Sequence, residues 1–250
     1  MKEIEYWLKR ENTNKMFSSE YWNNIENEKS KEWWIEDSND KKVFNYLTKS
    51  GLLEEFRMAT QDLNLHGKVL DLAAGTCWTS AELTKYKDIN IVDAVEFSHH
   101  RIDQLAPITI ESLGGDMNKI NRIYGSFYDI KRENEYYDFI LLSQAYHHAE
   151  LPLKLFHECD RVLKKGGKII IIGEHIIGIK RLFRRFVKNL LKLKINLNIM
   201  KEFYNHNDPL GDHYYMEHDY AFTFFAYGYD YKIIKTNLRD STVFIGEKNV

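Results

Sequence analysis

Cysteine and proline are scarce in this chain of 250 residues, with two of the first and three of the second. Cys77 and Cys159 are too few for a disulfide framework, which is the usage expected of a reduced, cytoplasmic protein. Pro107, Pro152 and Pro209 are scattered, so no proline-rich linker divides the chain, and no internal repeat is visible. Long apolar runs are missing as well. A membrane helix needs roughly 20 consecutive apolar residues, and the opening Met1-Lys-Glu-Ile-Glu-Tyr-Trp7 is charged where a secretory leader would be apolar. A formal charge of −2 gives no general case for nucleic acid. What remains is a chain with 44% hydrophobic residues, long enough to bury a full core as one large domain, with or without insertions.

The most informative stretch is Lys68-Val-Leu-Asp-Leu-Ala-Ala-Gly-Thr-Cys-Trp-Thr-Ser80. Val69, Leu70 and Leu72 form a short apolar run that carries one acid, Asp71, and ends in the small residues Ala73, Ala74 and Gly75. A polar helix start follows. Strand, tight turn and helix N-terminus in that order form the place where an open α/β sheet receives a nucleotide-like ligand. The buried acid requires partners, because an unpaired carboxylate in an apolar strand is costly. Taken alone, Asp71 reads equally well as a structural acid that fixes the turn.

With these residues the chain resembles the class I S-adenosylmethionine-dependent methyltransferases. Their first motif runs acid-x-Gly-x-Gly-x-Gly, and here it stands as Asp71-Leu-Ala73-Ala-Gly75-Thr-Cys77, with Ala73 and Cys77 in place of two glycines. The later segments follow in the family's order. Asn90–Glu96 is a strand ending in an acid 21 residues beyond Gly75, where a carboxylate can accept both ribose hydroxyls. Asn121–Asp129 resembles the third strand and the adenine-contacting turn, and Tyr136–His148 the fourth strand and the loop after it. Lys168–Glu174, Tyr227–Ile234 and Ser241–Gly246 supply the remaining strands.

The resemblance covers roughly residues 67–250. It implies a mostly parallel sheet of seven strands with helices on both faces and a closing antiparallel strand. It also implies S-adenosylmethionine as cofactor and S-adenosylhomocysteine as product. Asp71, Gly75 and the neighbouring backbone are expected at the methionine end, Glu96 at the ribose, Ser126 and Phe127 at the adenine, and Ser143 and Gln144 under the sulfonium, with Ala73, Trp78 and Phe97 as further cofactor contacts. A dehydrogenase would want Gly-x-Gly-x-x-Gly after the first strand, which Ala73–Trp78 does not supply.

Two segments lie outside this frame. Residues 1–66 are rich in charge and aromatics, with helical spacing in Val43–Leu65, and are expected to form a helical cap across the mouth of the cofactor pocket. Residues 176–216 are expected to form a lid-like insertion. Within residues 176–201 eight basic residues and no acid occur, which leaves −10 for the rest of the chain. At about 100° per residue, Leu182, Phe183, Phe186, Val187, Leu190 and Leu191 share one side of a helix, opposite Lys180, Arg181, Arg184, Arg185, Lys188 and Lys192. Three readings compete: a helix packed on the domain by its apolar face, a set of guanidinium groups for a phosphorylated or nucleotide-linked acceptor, and peripheral contact with an anionic membrane through residues 180–192.

For the acceptor, histidine has the proton affinity to take up a hydroxyl proton during methyl transfer. His147, His148, His175, His206, His213 and His218 fall in segments expected near the acceptor, and His148, His175 and His213 are the candidate bases. A metal-assisted site using Glu174, His175, Asp212, His213, Glu217 and His218 is an alternative, although no spacing among them forms a metal signature and none is assigned. The expected reaction is methylation of a small acceptor, anionic or sugar-like, with oxygen favoured and a surface-glycan precursor as one candidate. A cofactor-binding protein without transferase activity is the second class. Nucleic acid is disfavoured because the positive charge is confined to one helix and Ser143-Gln-Ala-Tyr146 is not the Asn/Asp-Pro-Pro-Tyr/Phe loop of base N-methylating relatives.

Overall fold

A computed structural model of the chain describes residues 2–8, 40–191, 204–205, 212–236 and 241–250. In chain order its elements are β1 (Glu5–Tyr6), α1 (Asp40–Lys49), α2 (Leu52–Thr60), β2 (Gly67–Leu72), α3 (Trp78–Leu83) and β3 (Ile89–Glu96). Then come α4, a wide first turn at Arg101–Leu105 running into Ala106–Ser112, followed by β4 (Ile120–Tyr124), β5 (Tyr137–Ser143), α5 (Pro152–Val162) and β6 (Leu163–His175). The last are α6 (Ile179–Leu191), β7 (Tyr204–Asn205), β8 (Asp212–His213), α7 (Glu217–Ala226), β9 (Tyr229–Lys235) and β10 (Ser241–Lys248).

The main sheet has the order β1-β4-β3-β2-β5-β6-β10-β9. All pairs from β1 to β6 are parallel, and β10 runs antiparallel to both β6 and β9. The expected sheet is therefore present, with eight strands instead of seven. The extra one is β1, whose two residues pair with Ile123 and Tyr124 at the edge. Arg132 secures it: its guanidinium donates to both carboxylate oxygens of Glu5 at 2.8 Å and through Nε to buried Asp93 at 2.8 Å. That pairing holds the Glu5 carboxyl below its usual range.

Side-chain alternation assigns the strands to two cores. Along β6, Ile169 and Ile171 face one cluster, while Ile170 and Ile172 face the other. The second of these layers receives α1 to α4, including Leu47, Phe56, Cys77 and Ile110. The opposite layer receives α5 and α7 through Phe156, Cys159, Tyr220 and Phe224. Strand β6 starts at Leu163, five residues ahead of the expected Lys168, because Leu163 already pairs with Tyr137 before a shift in register. Gly166, at φ 72°, takes the left-handed backbone this irregularity requires.

Of the expected helical cap, the structure describes Lys2–Leu8 and Asp40 onwards, where Gly51 at φ 77° separates α1 from α2. Trp22, Trp33 and Trp34 lie outside the described residues. No helix among the described residues is long and apolar enough to cross a membrane.

Candidate active site

The strand order reverses direction of growth between β2 and β5, and ligands of open α/β sheets bind beyond the carboxyl ends of the strands at such a point. Two loops leave the sheet there, Ala73–Cys77 after β2 and Gln144–Ala149 after β5. Beside them opens a cleft of about 530 Å³, solvent at its mouth included, lined by Leu8, Ala73, Val95, Phe97, Gly125–Tyr128, His148 and Glu150. Five expected site residues, Ala73, Phe97, Ser126, Phe127 and His148, thus meet in one concavity.

The first loop has an unusual backbone. Ala73, Gly75 and Cys77 all take positive φ, at 53°, 56° and 63°. These are the three positions where the resembled motif has glycine. The two replacements therefore leave the left-handed geometry intact, at a steric cost of about 1–2 kcal/mol for each L-residue. Three contacts hold the loop in place: the Ala74 N–H donates to the Val95 carbonyl at 3.0 Å, the Gly75 N–H to Glu96 Oε2 at 2.8 Å, and the Ser98 N–H to Glu96 Oε1 at 2.8 Å. Each Glu96 oxygen keeps lone-pair capacity beyond its one amide donor.

Asp71 is fully buried. Its Oδ2 accepts from the Thr79 hydroxyl at 2.6 Å and the Ser80 hydroxyl at 2.5 Å, which ties β2 to the first turn of α3, whereas Oδ1 is buried without a partner. Burial pushes its carboxyl up to about 6, against the lowering by those two hydroxyls. Trp78 does not line the cleft; its ring meets Phe56 edge-on at 6.0 Å in the core between α2 and α3. Ser126 Oγ accepts from the Tyr128 N–H at 3.1 Å, and Phe127 packs edge-on against Tyr128.

The second loop hangs on Glu174, at the end of β6. Fully buried, it accepts from the Ala145 and Tyr146 N–H groups at 3.0 Å through Oε1, and from His147 Nδ1 at 3.0 Å and the Tyr220 hydroxyl at 2.9 Å through Oε2. Burial raises the carboxyl, but His147 and the donors outweigh it and hold it below the usual range. Ser143 Oγ is buried with no partner, and Gln144 takes φ 52°. Gly173 makes room for Gln144, since a Cβ there would lie 2.6 Å from Gln144 Cγ.

His148 stacks obliquely on His147 at 4.2 Å, and β8 packs its His213 against the same turn. Burial, reinforced by His147 and by Arg101, pushes His148 down to about 3. His148 and His213 are thus brought together, while His206 and the side chains of His175 and Asp212 lie outside the described residues. His218 is exposed beside Asp219. No group of three His, Cys, Asp or Glu side chains poised for a metal ion occurs among the described residues.

Arg101 was not singled out by sequence, and Glu174 only as a member of the alternative metal-assisted set. Arg101 Nη1 stands 4.0 Å from the position of a Cβ on Gly75, so its guanidinium overlooks the glycine of the loop. Its place follows from the wide turn that opens α4, which nothing in the local sequence announces. Glu174 carried a signal: a single acid closing the run Ile169–Gly173 must be buried and must find donors.

Comparison with known proteins agrees with this geometry. Residues 70–171 match the family model described as a methyltransferase domain. The sarcosine/dimethylglycine N-methyltransferase of Aphanothece halophytica is 31% identical over 103 residues, 41% of this chain, which spans only 36% of that protein's length. Among solved structures, a SAM-dependent methyltransferase from Aquifex aeolicus superposes with a TM-score of 0.56 at 16% identity, covering 84% of this chain and 98% of that one. Protein PH0226 from Pyrococcus horikoshii OT3 reaches 0.60 at 18% identity, covering 85% and 94%. At such identities the superpositions speak to fold. Together with the methyltransferase domain matched over residues 70–171 and the left-handed loop at the switch point, they show that the chain has the class I S-adenosylmethionine-dependent methyltransferase fold.

Proposed function

We propose that the protein transfers the methyl group of S-adenosylmethionine to a small acceptor at the cleft beside β2 and β5. The observation that carries this reading is the Ala73–Cys77 loop, which keeps three left-handed residues at the switch point, two of them L-residues at a steric cost. The residues present fit the cofactor. Asp71 Oδ1 and Ser143 Oγ are buried polar atoms without partners, Gly75 leaves the backbone open to close approach, and Glu96 has capacity for a ribose diol. Phe97, Ser126 and Phe127 would flank the adenine, and Arg101 would face the methionyl carboxylate across Gly75. Asp71 would act largely through the turn it braces, and Trp78 from the core behind it.

The cofactor supplies a methyl group already activated by its sulfonium. The chain's own task is to align the acceptor, exclude water and manage one proton. Gln144, His148 and His213 would orient the acceptor. For an acceptor hydroxyl, the oxygen of a sugar-like or anionic molecule, burial deprives His148 of the proton affinity a base needs, which leaves His213 as the candidate base among the described residues. That same property favours one second reading. A small amine, of the kind named in the Aphanothece relative, gives up its ammonium proton to solvent on binding, after which its own lone pair needs only an aligned, neutral imidazole beside it.

Titration calorimetry with S-adenosylhomocysteine, and NAD as control, tests the cofactor. Binding of the former alone supports the reading, and binding of neither defeats it. Product analysis with sugar and amine acceptors then separates O- from N-transfer.

A further inference from the structure

Helix α6 leaves the carboxyl edge of the sheet four residues after His175 and, among the described residues, does not bury its apolar face. Ile179 is 74% exposed, Phe183 66%, Phe186 51% and Leu190 51%, and only Leu182 and Val187 are partly covered. At about 100° per residue these six occupy one continuous arc. Scattered exposed apolar residues are ordinary, but a whole helical face is not, and it marks a contact surface. The remaining arc is basic: Arg184 and Lys188 are exposed, and the sequence adds Lys180, Arg181 and Arg185, with no acid anywhere in residues 176–201.

We propose that α6 is a membrane-surface helix, which docks the protein on anionic lipid with its apolar arc at the acyl boundary and its cationic flanks among the headgroups. The chemistry of the rim decides the occupant. A second copy laid on this face would bring lysine and arginine against their like, whereas an anionic bilayer offers hydrocarbon and compensating charge together. The acidic remainder of the chain, at −10, would be repelled by such a surface, so α6 also fixes the orientation. Docked in this way, the protein turns toward the bilayer the sheet edge that carries its cleft.

Sedimentation of the full chain with vesicles tests this. Vesicles of phosphatidylcholine with phosphatidylglycerol should carry the protein down, and pure phosphatidylcholine should not. Phe183→Ser with Phe186→Ser, and separately Arg184→Glu with Lys188→Glu, should each weaken the association about tenfold or more. High salt should weaken it as well. All four positions are exposed, so the thermal midpoint of each variant should stay at the wild-type value. Failure to bind the anionic vesicles overturns the proposal. So does binding that both variant pairs retain, or a dimer in solution that the serine pair dissolves, which would assign the face to a second copy.

Discussion

Ala73 and Gly75 have nearly the same backbone conformation, at φ 53° and 56°, but only one is glycine. Exchanging their identities should therefore move stability in opposite directions. Ala73→Gly removes the clash of an L-residue held left-handed, about 1–2 kcal/mol. It also frees the unfolded chain at a cost of about 0.5–1 kcal/mol. The net expectation is a gain of about 0.5–1 kcal/mol. Gly75→Ala reverses both contributions for a loss of similar size, and no collision adds to it, since the nearest heavy atom to the new methyl is Arg101 Nη1 at 4.0 Å. Cys77→Gly should lose instead, despite relief at φ 63°, because its side chain is fully buried in the core. Urea unfolding read by fluorescence measures each as a displaced midpoint at unchanged slope. Destabilisation by Ala73→Gly together with tolerance of Gly75→Ala would refute the left-handed assignment of this loop, and with it the main support for the cofactor site.

Other expectations concern ligand binding and pH. Glu96→Ala should weaken S-adenosylhomocysteine by about 1.5–3 kcal/mol, the range for hydrogen bonds to a charged group, and should weaken methylthioadenosine equally, since both carry the ribose. Arg101→Met should weaken only the former, because methylthioadenosine lacks the carboxylate; calorimetry on the two ligands separates the roles, and equal losses would defeat the Arg101 assignment. Asp71→Asn should stabilise the ligand-free protein at pH 8 but not at pH 4. The folded carboxyl, at about 6, lies above its ordinary 3.8, so its contribution is present at low pH and lost as pH rises through about 6. Removing that burden is worth at most about 3 kcal/mol, and equal urea midpoints for the two proteins at pH 8 would contradict it.

The order of strands was legible because each carries its own apolar run and its own terminal signal, such as Asp71 and Glu96. Strand β1 was not. Two residues, Glu5 and Tyr6, have no periodicity to read, and their place depends on Arg132, 127 positions away. Nothing in the residue types at the motif's two replaced glycines tells their conformation, yet surrounding hydrogen bonds hold Ala73 and Cys77 in the glycine-like one. Trp78 is among the expected cofactor contacts, and the helix turns its ring to the core against Phe56. For α6 the pattern revealed both faces correctly, whereas no pattern in a single helix says whether a neighbour covers the apolar one.

The two cysteines make the protein its own clock for breathing motions. Each is wholly buried, one on either side of the sheet, and burial pushes both thiols well above their ordinary range. Neither reacts until its own layer opens, since the thiolate is the reactive species. A thiol reagent therefore times two events in one unlabelled chain: parting of α3 from the sheet at Cys77, and of α5 at Cys159. If the cofactor loop is the looser half, Cys77 yields first, and a ligand in the cleft slows that reaction alone.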